Sequence, residues 1–146
     1  MPISEAVETD RSHRVELSVA ADAQMLFLAR MTGAAVATRA QFDYEQVEDL
    51  RLATAELCIA LMRAGSGTRL SLVLEWDDEG TVEVSGTLLA DAGSSPNGSV
   101  PPALDPGPDH ELSARLLEAL VDDHGETVVG GAPRGWFRMK RQSHEA

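Results

Sequence analysis

Residues 49–65 read DLRLATAELCIALMRAG, and the reading of this stretch decides the fold. Val47, Leu50, Ala53 or Thr54, Leu57, Leu61 and Ala64 recur at intervals of three and four, which predicts a long amphipathic helix. Asp43 supplies an N-cap, and Gly65 and Gly67 mark the end near Ala64. Glu45, Glu48 and Asp49 load the first turns with negative charge, which complements the helix dipole and reads as a solvated face. One carboxylate, Glu56, stands among Leu52, Ala53, Ile59 and Ala60. It either continues a polar stripe with Asp49 and Arg63, each seven residues away, or faces a shallow cavity. Cys58, beside the Leu57 stripe, reads as a small buried hydrophobe.

Upstream, RVELSV from Arg14 to Val19 alternates polar and apolar residues and predicts an edge or half-buried strand. Asp22 then caps a helix in which Met25, Leu26, Phe27, Leu28, Met31, Ala34, Ala35 and Val36 are apolar over more than one face. One face packs inside; the other either is buried as well or serves a partner or a second copy, with Arg30 the one cation in mid-helix. Downstream, TRLSLVLEW (Thr68 to Trp76), the turn DDEG and TVEVSGTLL (Thr81 to Leu89) form a hairpin by their period of two. From Ala90 to Pro108 the composition shifts to proline, glycine and serine, which predicts a long loop. A helix from Asp109 to Asp122 follows, then a second hairpin of Glu126 to Gly131 and Gly135 to Arg141. The order β, α, α, β, β, loop, α, β, β separates helices from an antiparallel sheet and predicts an α+β two-layer sandwich.

The 146 residues, 43% of them hydrophobic, suit one domain with a sizeable core. It is expected over residues 14–141, between a flexible N-terminus of residues 1–13 and a tail of residues 142–146. A net charge of -12 argues against a nucleic-acid binder, since phosphate neutralisation by Lys and Arg supplies most of that affinity. No apolar run approaches the roughly 20 residues that span a bilayer, so a cytoplasmic protein is expected. The single cysteine forms no internal disulfide. His13, His110, His124 and His144 lack metal-ligand spacing, and Asp122-Asp123-His124 reads as a solvated helix end. No metal site is expected. There is no P-loop and no G-x-S-x-G nucleophile elbow. Trp76 and Trp136 read as sheet packing.

The order of elements, the two-helix segment from Glu16 to Gly65 and LLEALVDDH resemble the anti-sigma factor and serine kinase branch of the GHKL ATPase superfamily, especially its actinobacterial stress-response members. The resemblance implies a histidine kinase-like (Bergerat-type) fold, magnesium ATP, capture of an alternative sigma factor, and phosphorylation of an anti-anti-sigma protein. It implies that Glu56 is the catalytic base and puts it at the nucleotide cavity. The magnesium-holding Asn four residues later corresponds here to Ala60, whose methyl group offers no oxygen. The family's Asp-x-Gly-x-Gly turn has at most a remnant in Asp91 and Gly93. His110, Glu111, Leu112 and Ser113 stand where Gly-Gly-Leu-Gly would receive phosphates, and Asp109 and Glu111 repel them. Three parts of the nucleotide site are thus altered together.

The expected function is an anti-sigma factor with ATP binding and kinase activity lost or weakened, needing no cofactor. The alternative is a divergent ATP-dependent serine kinase that uses ATP and magnesium with Glu56 as base. The resemblance assigns Arg30, within LARMT (Leu28 to Thr32), to partner contacts; Phe27, Met31 and Ala34 give it the apolar surround of an interface anchor. It also implies a homodimer formed through the N-terminal region.

Overall fold

The computed structural model describes residues 13–90 and 108–142, without the side chains of residues 108–111 and 113. The elements run β1 (His13–Ala20), a 3-10 turn (Ala23–Met25), α1 (Leu26–Arg39), α2 (Tyr44–Ala64), β2 (Arg69–Trp76), β3 (Thr81–Leu89), α3 (Pro108–Leu120), β4 (Asp123–Val129) and β5 (Ala132–Lys140). The strands form one antiparallel sheet in the order β1-β2-β3-β5-β4, so β1 is an edge as its alternation predicts. This is the expected α+β two-layer sandwich.

Residues paired across strands share a face, and the register sorts the two faces of the sheet cleanly. One row runs Val15, Leu74, Val84, Phe137 and His124; the next runs Leu17, Leu72, Gly86, Gly135 and Glu126. These rows meet the helices, and their central members Leu72, Leu74, Val84 and Phe137 are fully buried. The opposite face carries Arg14, Glu75, Glu83, Arg138 and Asp123 in a single row. There Arg14 pairs with Glu75 at 3.0 Å, and Arg138 bridges Glu83 at 3.6 Å and Asp123 at 3.7 Å. These pairs are exposed and contribute little stability each; their placement keeps this face wet.

Two glycines explain how α2 approaches the sheet. Gly86 and Gly135 are paired across β3 and β5, and a Cβ on Gly135 would lie 2.7 Å from Leu57 Cδ1. A Cβ on Gly86 would lie 2.9 Å from Leu61 Cδ1 and 2.8 Å from Leu72 Cδ2. The missing side chains make a notch into which two successive turns of α2 insert. Buried apolar area of this kind is the main driving force of the fold, at about 25 cal/mol per Å². On its other flank α2 meets α1 at Gly33, where a Cβ would be 2.7 Å from Thr54 Oγ1. Thr54 is fully buried, and its hydroxyl donates to the Leu50 carbonyl at 2.8 Å, so the close approach leaves no orphaned donor.

Several boundaries differ from those expected. Asp22 caps the 3-10 turn, accepting from Gln24 N at 3.0 Å, so α1 proper begins only at Leu26. Asp43 caps α2 as expected, accepting from Gln46 N at 2.8 Å. Gly65, however, is extended (φ -161°) and not a left-handed terminator. Crowding accounts for both this glycine and Gly67: a Cβ on Gly67 would lie 2.6 Å from Leu88 Cγ and from the Leu89 carbonyl oxygen, and one on Gly65 would press on Pro133 Cγ at 3.0 Å. The third helix stops at Leu120, and Asp123 and His124 belong to β4, not to a solvated helix end. Asp122 and Asp123 are used by the sheet: Lys140 N donates to Asp122 Oδ2 at 2.7 Å, and Arg138 pairs with Asp123. The second hairpin is correspondingly shifted, with Gly130 and Gly131 at φ 60° and 84° forming its two-residue turn. Most of the proline-rich stretch expected as a loop, residues 91–107, lies outside the described residues.

Candidate functional site

α1 is apolar nearly all round, so half of it has no core to enter. Leu26, Ala29, Gly33, Val36 and Ala37 are buried against α2 and the sheet. Steps of four and three place Phe27, Met31 and Ala34 in a stripe on the far side. Phe27 is 47% exposed and Met31 62% exposed, while Ala34 is half-buried. Arg30 borders this stripe, is itself half-buried, and makes no hydrogen bond or ion pair among the described residues. The four residues assigned to partner contacts therefore share one outward surface: an aromatic ring, a flexible thioether and a methyl beside a spare guanidinium. That is the composition of an interface centre with an apolar body and a charged anchor.

The second candidate region lies along α2. Glu56 is half-buried, one residue from the Leu57 that enters the glycine notch. Ala60, one turn further on, is buried with 4% exposure. Leu52, one turn before Glu56, is 44% exposed. The notch fixes the rotation of α2 and so places Glu56 and Ala60, four residues apart, on one flank of the helix. At the position where the resemblance requires an oxygen for magnesium, the chain presents a buried methyl. The described residues of this region do not fit a magnesium ion, and among them no group of three or more His, Cys, Asp or Glu is placed to hold any metal.

The remaining nucleotide positions are only partly visible. Asp91 and Gly93 lie outside the described residues. Residues 110–113, including Ser113, are in α3, within its first two turns, because the helix starts at Pro108, a residue well suited to the first helical position. Leu112, the one residue of that group whose side chain is described, is 57% exposed. Cys58 is fully buried, and burial pushes its thiol up to about 12, so it remains protonated and unreactive near neutral pH.

Sequence reasoning missed Gly86 and Gly135. Both interrupt otherwise regular strand patterns, and an isolated glycine inside a strand signals the close approach of another element. No helix among the described residues is long and apolar enough to cross a membrane.

No family model matches the chain. A stretch of 54 residues, 37% of this chain, is 32% identical to the serine-protein kinase RsbW of Bacillus cereus strain AH187 and covers 34% of that protein. The same identity and coverage relate it to the serine-protein kinases RsbW of Bacillus thuringiensis strain Al Hakam and of Bacillus anthracis strain CDC 684 / NRRL 3495. The match spans about a third of the length of these relatives, and over that stretch this chain is similar to bacterial serine-protein kinases of the RsbW type.

Proposed function

We propose that this chain is an anti-sigma regulatory factor that captures an alternative sigma factor through α1 and is itself controlled by an anti-anti-sigma protein. The observation that carries the reading is the outward Phe27–Met31–Ala34 stripe with Arg30 at its border, on a helix whose opposite face is fully used by the core. A soluble domain gains nothing from a 62% exposed Met31 and a 47% exposed Phe27 in one stripe unless something covers them. The short similarity to RsbW kinases supports the family. In this reading the protein works in the cytoplasm as a homodimer and makes no direct contact with nucleic acid.

Kinase activity is lost or greatly weakened in the same proposal. Ala60 supplies no oxygen, and the acidic residues at the start of α3 oppose a triphosphate. Magnesium ATP is therefore expected to leave the melting temperature unchanged, because a ligand that binds the native state must raise it. Stabilisation at micromolar ATP would instead favour a divergent serine kinase, the second reading, for which Glu56 remains available as a base one turn from Ala60. Arg30→Glu tests the surface: it should abolish co-purification of the sigma factor while leaving the circular dichroism spectrum and melting temperature intact. Undiminished capture would remove Arg30 from the interface.

A further inference from the structure

A polar recess of about 120 Å³ lies where the α1–α2 corner meets the ends of β1, β2 and β5, lined by His13, Arg39, Gln41, Asp77, Asp78 and Arg141 together with Trp76 and Ala40. It shares no residue with the two regions described above, although Arg39 is the last residue of α1, five residues beyond Ala34 or about 7.5 Å along the helix. Gln46, which anchors this corner, is ten residues before Glu56, or about 15 Å along α2.

The recess has rigid walls. Gln46, a buried polar residue, donates through Nε2 to the Lys140 carbonyl at 3.0 Å and accepts from Gln142 N at 3.1 Å. Arg141 donates through Nη1 to the Ala40 carbonyl at 3.0 Å, satisfying the end of α1, and its backbone N donates to Gly80 O at 2.7 Å. Gly80 has φ +93°, and a Cβ there would lie 2.8 Å from Arg141 Cβ, so the turn is shaped to admit this arginine. Gln41 holds a left-handed conformation (φ 66°), unusual outside glycine, at the same corner. The His13 ring stacks on Trp76 with centroids 5.1 Å apart, and its Nε2 lies 3.3 Å from Asp78.

Both signs of charge line the recess. A guanidinium has five donors; Arg141 uses one of its side-chain donors on Ala40, and Arg39 makes no hydrogen bond or ion pair among the described residues. The carboxylates of Asp77 and Asp78 line the same recess, and the carbonyl end of α1, to which Arg141 donates, adds partial negative charge. Asp77 uses Oδ1 to accept from Glu79 N and Thr81 N, each at 3.0 Å, and a carboxylate retains acceptor capacity beyond that. A simple anion would meet two aspartates and a helix C-terminus; a simple cation would meet two arginines. We infer that the recess binds a small zwitterion, a free α-amino acid with a short side chain, its carboxylate on Arg39 and Arg141 and its ammonium toward Asp77 and Asp78. The volume suits glycine, alanine or serine.

Trp76 lines the recess and reports on it directly; Trp136→Phe, on the opposite sheet face, leaves Trp76 as the sole tryptophan. Titration of the full chain with glycine and serine should give a saturable change in Trp76 emission in the millimolar range. Acetate and methylamine at equal ionic strength should give none. Arg39→Ala, at an exposed position, should weaken the response at least about tenfold without lowering the melting temperature. The inference is overturned if glycine and serine produce no saturable change up to tens of millimolar, if acetate or methylamine matches them, or if Arg39→Ala responds like the parent. Arg39 closes α1, so partner capture by Arg39→Ala is measured separately from the ligand response.

Discussion

α1 and α2 lie side by side on the same sheet and use their residues in opposite ways. α2 commits its apolar stripe inward: Leu50, Ala53, Leu57 and Leu61 are buried, and two of them enter a notch made by glycines on different strands. α1 buries mainly small residues on its inner side and turns its large ones, Phe27 and Met31, outward. The bulk of one helix thus serves the core, and the bulk of the other stays outside it. Bulk placed inward holds a domain together, whereas the same bulk placed outward has value only against a second molecule. The contrast also accounts for Glu56. It sits on the helix whose orientation is most tightly fixed, yet the neighbour one turn away is the methyl of Ala60.

Breaking the inner helix should be the most costly change. Leu57→Ala removes the side chain that fills the space over Gly135 and should destabilise the fold by about 3 kcal/mol in chemical denaturation. An unchanged denaturation midpoint would mean that the notch closes without it. Filling the notch from the sheet side should cost less. Gly135→Val forces Leu57 Cδ1 away from a position 2.7 Å from the new Cβ, and overpacking of this kind costs about 1–3 kcal/mol. Since Leu57 is the side chain displaced, the double variant Gly135→Val with Leu57→Ala should be more stable than the sum of the single changes predicts. Strict additivity would show that the two residues do not share the space. The outer helix should give the smallest effect on folding. Phe27→Ser and Met31→Ser should each alter stability by less than about 0.5 kcal/mol while reducing partner capture. A large loss of stability in the isolated chain would show that the stripe is covered within the protein itself.

The α+β class, the edge position of β1 and the Asp43 cap were legible because each rests on local chemistry: alternation, helical period and a side-chain acceptor three residues before a free N–H. The two-sided character of α1 was legible for the same reason, since a helix that is apolar all round cannot bury every face in a two-layer fold. What was hidden depends on residues distant in sequence. Gly65 reads as a helix terminator until Pro133 and Leu88 are seen beside it. Asp122, Asp123 and His124 continue an acidic helical pattern until Lys140 and Arg138 recruit the two aspartates to the sheet. The recess at the α1–α2 corner draws on His13, Arg39, Asp78 and Arg141, four positions that no local motif connects.

The contact between Gly33 and Thr54 carries a mechanical consequence. Because Gly33 has no Cβ and Thr54 is fully buried, the two helices touch there as closely as backbone and side chain allow. Sliding α1 along its axis would bring Ala29 or Val36 against Thr54, so this contact fixes the register of the two helices. A load applied to Phe27 or Met31 from outside is then borne at a point near the middle of α2. That point shares α2 with Leu57 and Leu61, the side chains that fill the glycine notch of β3 and β5.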